Sequence, residues 1–164
     1  MALNPKKAYV DEYKRKQKIQ LQEFVQNLKI KYPHHTFELI DSTEEEDKNK
    51  KVDGHLRIDE KRIEKVDLKT KSKPSFINFS IPYRENFFHR LTMEVSESSL
   101  YLLMDQEEFI IIKSSAMKNW LKETKPIIRK SSRPNDDGLY FLIPDQEARR
   151  ICSDRIPRKV KFET

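Results

Sequence analysis

Two runs of alternating residues stand almost end to end, KVDGHLRID at 51–59 and RIEKVDLKTK at 62–71. Polar and apolar side chains that swap at every step have the period of a strand, and two such runs with so short a gap predict an antiparallel hairpin. If the turn takes the three residues Asp59, Glu60 and Lys61, Leu56 falls opposite Glu64 and Asp53 opposite Asp67. Directly opposed residues share a face of the sheet. One face then gathers Leu56, Ile58, Val66 and Leu68, and must be buried. The other gathers Asp53, His55, Asp67 and Lys69. A two-residue turn would break this register, so the turn decides which side chains meet.

The remaining segments say what this hairpin joins. Residues 8–31 lack Gly and Pro and carry Leu21, Phe24, Val25 and Leu28 at helical spacing, with Pro33 helping to end the helix. TFELI (36–40), SFINFSIPY (75–83), LTMEV (91–95), SLYLLMD (99–105), EEFIIIKS (107–114) and LYFLIP (139–144) are expected strands. In the second of these, Phe76 or Ile77 with its period-two neighbours chooses the buried face. SAMKNWLKET (115–124) is an expected helix with Met117, Trp120 and Leu121 on its apolar side, and DQEARRICSD (145–154) another, capped by Asp145. DSTEEEDKNKK (41–51) is a charged loop, KPIIRKSSRPNDDG (125–138) a basic turn-rich loop, and RIPRKVKFET (155–164) a basic tail. One helix, a run of strands, then helix, strand and helix predicts a mixed α/β (α+β) fold with a central mixed sheet flanked by helices.

A length of 164 residues suits a single domain, and 36% apolar against 37% charged residues makes for a lean core. The net charge of +6 and an isoelectric point near 9.3 favour a polyanionic partner. A lone cysteine, Cys152, excludes an internal disulfide and fits a reducing compartment. No segment approaches the roughly 20 apolar residues of a membrane span, and the first residues lack the apolar centre of a secretory signal. The expectation is a cytoplasmic protein of a bacterial, phage-infected or archaeal cell, with no membrane partner. Gly54 and Gly138 are the only glycines, which excludes a P-loop. Gly54, beside Asp53, offers room for a phosphate backbone or a neighbouring strand, or for a bulge. His34 and His35 have no partners at zinc-ligand spacing.

Two carboxylates on one hairpin face repel unless something compensates them. A divalent cation does so: Mg²⁺ takes one or two carboxylates and completes its shell with water and phosphate oxygens. A neighbouring lysine can orient a water molecule and stabilise charge developing on a phosphate. Asp53, Asp67 and Lys69 therefore form a plausible kit for phosphodiester hydrolysis.

The pattern VD, thirteen residues, DLK resembles the signature of the PD-(D/E)xK nuclease superfamily, with its restriction-endonuclease-like fold. In that family an Asp opens one strand and an acid-x-Lys lies on the next. Acid-x-Lys also occurs at Glu12-Tyr13-Lys14, Glu46-Asp47-Lys48, Asp59-Glu60-Lys61 and Glu123-Thr124-Lys125. Only Asp67-Leu68-Lys69 ends an aliphatic strand that follows another strand with an Asp at pairing distance. Val52 stands where the family name has proline. The resemblance covers about residues 8–122, a core within one domain spanning 1–164, with 123–164 as a basic extension. It implies a Mg²⁺- or Mn²⁺-dependent endonuclease acting on DNA, of restriction, phage-recombination or junction-resolving type, that leaves 5′-phosphates. Asp53 and Asp67 would hold the metal, and Lys69 would assist the water. The family often adds a carboxylate from its first helix, for which Glu23 is the candidate, Glu12 the alternative, and Glu38 and Asp41 weaker ones.

Basic residues that would contact nucleic acid are Lys71, Lys73 and Arg84, with Arg129, Lys130 and Arg133 in the later loop. Tyr83 is positioned to stack on a base or to pack. The tail adds Arg155, Arg158, Lys159 and Lys161. Two cuts in a duplex often need two active sites, so a homodimer is a reasonable expectation. The alternative is a non-catalytic nucleic-acid-binding subunit or adaptor of the same fold. A third reading is an RNA-binding or translation-associated protein with a fortuitous hairpin.

Overall fold

The computed structural model describes residues 5–41, 53–71, 76–83, 100–130 and 139–158. The chain opens with a long helix, α1 (Pro5–Lys31), whose side chains Leu21, Phe24, Val25 and Leu28 are buried on one stripe. It turns at residues 32–36 into β1 (Phe37–Asp41), followed by the hairpin β2 (Gly54–Ile58) and β3 (Arg62–Thr70). Next come β4 (Asn78–Tyr83), β5 (Leu100–Met104) and β6 (Glu108–Lys113), then α2 (Ser114–Thr124) and β7 (Arg129–Lys130). The last elements are β8 (Leu139–Pro144), α3 (Asp145–Ile151) and β9 (Asp154–Pro157). The fold is mixed α/β, as the pattern of elements predicts.

Six strands form the main sheet in the order β1-β2-β3-β5-β6-β9. All neighbours are antiparallel except β3 and β5, which pair in parallel with Asp67 opposite Tyr101 and Lys69 opposite Leu103. A parallel pair needs a crossover, and here it runs through β4. That strand belongs to a second, three-stranded sheet in the order β4-β8-β7.

Each face of the main sheet has its own core. On one face α1 packs Leu21, Phe24, Val25 and Leu28 against Leu56, Val66, Leu68, Leu102, Phe109, Ile111 and Ile156. On the other, Tyr101, Leu103, Ile110 and Ile112 meet Phe79, Ile81, Phe141 and Ile143 of the second sheet, Met117, Trp120 and Leu121 of α2, and Ala148 of α3. Because β5 and β6 are covered on both faces, they read LYLLM and FIII rather than alternating. The hairpin strands have a polar face, and they alternate.

Of the two phases open for β4, the buried one is that of Ile77, since Phe79 and Ile81 are buried, although Ile77 itself lies before the strand and is 70% exposed. Three expectations need correction. Asp145 does not cap α3: the N-cap is Pro144 with no side-chain hydrogen bond, and the Asp145 carboxylate bonds Lys71 instead. The basic loop holds the short strand β7. The tail contributes β9, whose Ile156 is fully buried, because an apolar residue there closes the α1 core at the sheet edge. The predicted strand at 91–95 lies outside the described residues. Among the described residues no helix is long and apolar enough to cross a membrane.

Candidate functional site at the β2–β3 hairpin

The turn is the three-residue one that the register requires. Asp59 and Glu60 take positive φ, at 52° and 64°, and the Lys61 amide donates to Ile58 O at 3.3 Å. Asp59 is held there from both sides. Its amide donates to Thr36 O at 2.9 Å, while its carboxylate accepts from the Thr36 amide at 2.9 Å and pairs with His35 Nδ1 at 2.7 Å. The Thr36 amide first, and then His35, keep the exposed Asp59 carboxyl below its ordinary range. From this turn the register runs as expected, with Leu56 opposite Glu64, His55 opposite Lys65 and Gly54 opposite Val66.

At Asp53 the ladder changes. Gly54 is the partner of Val66, and the Asp53 amide also donates to Val66 O at 2.8 Å. Two residues of one strand thus face one of the other, the arrangement of a β-bulge. The bulge turns the Asp53 carboxylate onto β3, where Oδ2 accepts from the Leu68 amide at 2.7 Å. Leu68 is the residue between Asp67 and Lys69. Gly54 is explained by packing rather than by a phosphate: a Cβ there would meet Leu21 Cδ1 at 3.3 Å and Leu39 Cδ1 at 3.4 Å.

Asp67 is 4% exposed beside buried Tyr101, and Lys69 Nζ lies 3.1 Å from its Oδ1. The Lys69 side chain is 23% exposed, so the buried carboxylate is reached through a partly open lysine. The structure thus sets the Asp53 carboxylate on the peptide between Asp67 and Lys69, and pairs Lys69 with Asp67. These hard oxygen donors suit Mg²⁺ or Mn²⁺. Among the described residues no group of three or more His, Cys, Asp or Glu surrounds a metal position. A cation held here would take two protein carboxylates and find its other ligands in water and phosphate, which is the habit of Mg²⁺.

The other predicted residues lie elsewhere. Glu23 is on α1, its carboxylate clamped by Arg158 at 2.5 and 2.8 Å, and the same guanidinium bonds Asp105 O at 2.9 Å. That ties α1 to the β5–β6 turn rather than to the Asp53 carboxylate. Lys71 is not placed to meet phosphate. Its side chain is 7% exposed, 2.6 Å from Asp145 and 3.3 Å from Asp105, with Phe79 beneath the ammonium at 5.0 Å. The second sheet roofs that part of the face, so the lysine needs carboxylates of its own. Arg129 and Lys130 form β7 and are exposed at a sheet edge. Lys73, Arg84 and Arg133 lie outside the described residues.

Sequence reasoning missed the Leu68 amide as the partner of Asp53, and no sequence signal marks a backbone donor. It also missed the network in which Arg149 bridges Asp105 and Glu108, at 3.5 and 3.1 Å, next to Lys71. No family model, curated protein or solved structure matches the chain.

Proposed function

We propose that the protein is a metal-dependent nuclease that hydrolyses phosphodiester bonds in DNA through Asp53, Asp67 and Lys69. One observation carries this reading: a bulge at Asp53 directs its carboxylate to the peptide between buried Asp67 and Lys69. The resemblance to the PD-(D/E)xK superfamily rests on the same three residues, and the order of helix, strand, motif hairpin, further strands and helix agrees with it.

Asp53 and Asp67 would hold Mg²⁺ or Mn²⁺, which would supply Lewis acidity to a phosphate oxygen and acidify a water. The chain's own residues do the rest. The Leu68 amide fixes the Asp53 carboxylate against β3. The covered face around Tyr101 limits the water around Asp67, which strengthens every charge interaction there. Lys69, whose ammonium neutralises Asp67, has the reach to turn towards a scissile phosphate and stabilise its developing negative charge.

The same ion pair also favours a second reading, a non-catalytic nucleic-acid-binding subunit, because an Asp67 already matched by Lys69 has no need of a cation. Incubation of the full chain with labelled DNA and RNA duplexes, junctions, flaps and single strands in Mg²⁺ or Mn²⁺ separates the two. Cleavage that disappears in Asp67→Asn while binding persists supports the nuclease. Binding without cleavage of any substrate favours the subunit, and cleavage by Asp67→Asn at the wild-type rate removes the motif from the chemistry.

A further inference from the structure

α1 is longer than the sheet it covers. Among the side chains whose exposure is described, its first buried one is Leu21, whose Cδ1 is the nearest atom to a Cβ built on Gly54, so the helix crosses β2 beside Asp53. One turn earlier, Lys18 Nζ reaches Asp41 at the end of β1, at 3.0 Å. Residues 5–17 therefore continue past the end of β1, over roughly 20 Å at 1.5 Å per residue. Glu12, Lys14 and residues 15–20 are exposed or half-exposed.

This projecting part holds most of the charge of the helix. Between residues 5 and 18 there are six basic residues (Lys6, Lys7, Lys14, Arg15, Lys16, Lys18) against Asp11 and Glu12. The basic residues are not evenly spread in function. Lys14 and Lys18 are four apart, and Lys14 lies seven before Leu21, as Lys18 lies seven before Val25. At 3.6 residues per turn these positions share one side of the helix. The stripe that is Leu21, Val25 and Leu28 over the sheet becomes Lys18 and Lys14 beyond it, and Lys7 continues the spacing. Arg15 flanks this side, three positions before Lys18, and Lys16 points away from it. Lys16 is 3.8 Å from Glu12.

From this we infer that the N-terminal half of α1 is a phosphate-backbone clamp for the nucleic acid, with Lys14 and Lys18 on its contact face. The inference rests on the nucleic-acid half of the proposed function and not on cleavage. Charge complementarity selects the occupant: an apolar helix face that turns basic as it passes the end of β1 fits a polyanion. The clamp stands at the end of the sheet where Asp53 begins β2, so a strand entering the hairpin site passes it. The Lys18–Asp41 pair is exposed on both sides, 51% and 65%. A pair of that kind contributes at most about 1 kcal/mol, so phosphate can replace Asp41.

The test compares two charge-matched full-length variants, Lys14→Gln/Lys18→Gln and Arg15→Gln/Lys16→Gln, by fluorescence anisotropy on a labelled DNA duplex across a salt series. The first is expected to lose about 10–100-fold in affinity and about two units of the log–log salt slope, since each phosphate contact contributes about 0.9. The second should lose clearly less of either, and should cut at the wild-type rate on saturating DNA. Circular dichroism checks that the helix is intact. Equal losses in the two variants overturn the clamp, because only net charge then matters. Wild-type binding in the first variant also overturns it, and leaves the Asp53–Asp67–Lys69 reading standing. A wild type that binds no nucleic acid overturns both. A first variant that loses binding only to phosphatidylserine vesicles transfers the face to a membrane surface and overturns the proposal.

Discussion

Lys69 and Lys71 are two residues apart at the end of one strand, and both stand among carboxylates, yet they occupy different kinds of site. Lys69 pairs with Asp67 and is 23% exposed; Lys71 lies between Asp105 and Asp145 and is 7% exposed. The difference is what lies above them. The second sheet places Phe79 under the Lys71 ammonium, and Asp145, at the start of α3, lies beside it. A buried cation removed from its partners leaves uncompensated charge behind, whereas a partly open one can exchange partners. The first arrangement braces the fold, and the second leaves a cation able to exchange partners.

The largest effect that would break this comparison concerns Lys71. Lys71→Met should lower unfolding free energy in urea by about 3–5 kcal/mol, since Asp105 and Asp145 lose their shared partner. Cleavage per folded molecule should barely change. If stability is unaffected and DNA binding falls instead, the two lysines are of one kind after all.

Lys69→Met is the converse. It should slow single-turnover cleavage about 10²–10³-fold, the usual loss for one electrostatic stabiliser, and change stability by less than about 1 kcal/mol. A stability loss as large as that of Lys71→Met would make Lys69 a brace too.

A third ion cluster, more exposed than either of these, sharpens the role of burial. Asp154 accepts from Lys31 at 2.7 Å and from the Tyr32 hydroxyl, with exposures of 36% for Lys31 and 27% for Asp154. Burial raises the Asp154 carboxyl, but hydrogen bonds from Lys31, Tyr32 and the Arg155 amide outweigh it and leave the group below its ordinary value. The hydrogen bond with Asp154 raises both Lys31 and Tyr32. A lowered carboxyl stabilises the fold above its unfolded pKa, about 4, and loses that contribution as pH falls through the folded value. The raised Lys31 and Tyr32 stabilise below about pH 10 and lose it as pH rises through theirs. Asp154→Asn should therefore cost about 1 kcal/mol at pH 7, with the gap to wild type closing at acid pH in urea titrations. A gap that stays constant down to pH 2 would show that Asp154 acts by packing.

The smallest expected effect tests the turn beneath the site. Glu60 is exposed with φ at 64°, a conformation that favours glycine. Glu60→Gly should raise stability by about 0.5–1 kcal/mol and leave cleavage unchanged. Lost cleavage would mean that the turn does more than set the register.

Much of the hairpin was legible because side-chain alternation has a period of two residues and is a local property. Given the three-residue turn, Gly54–Ile58 had to pair with Arg62–Val66, and the apolar face had to be buried, but the bulge that sets Asp53 on the Leu68 amide instead of opposite Asp67 was not legible. The strands β5 and β6 and the helix α2 were legible for similar reasons, as runs of apolar residues long enough to report their own burial. Other features were not local. Lys71 reads in the sequence like any other lysine beyond a strand, and only its neighbours from β4, the β5–β6 turn and α3 make it a buried one. Glu23 sits beside an apolar stripe, but the arrival of Arg158 decides its partner.

What the sequence determined by itself is the kind of most elements and the pairing of β2 with β3 from Gly54 on, since both depend on spacings within a few residues. Tertiary structure alone decided which charged groups are sealed and which stay open. That depends on where β4, β8 and α3 roof the sheet, and on where β9 and Arg158 close its edge. These contacts join residues up to 135 positions apart, as between Glu23 and Arg158, and desolvation acts only once they have formed.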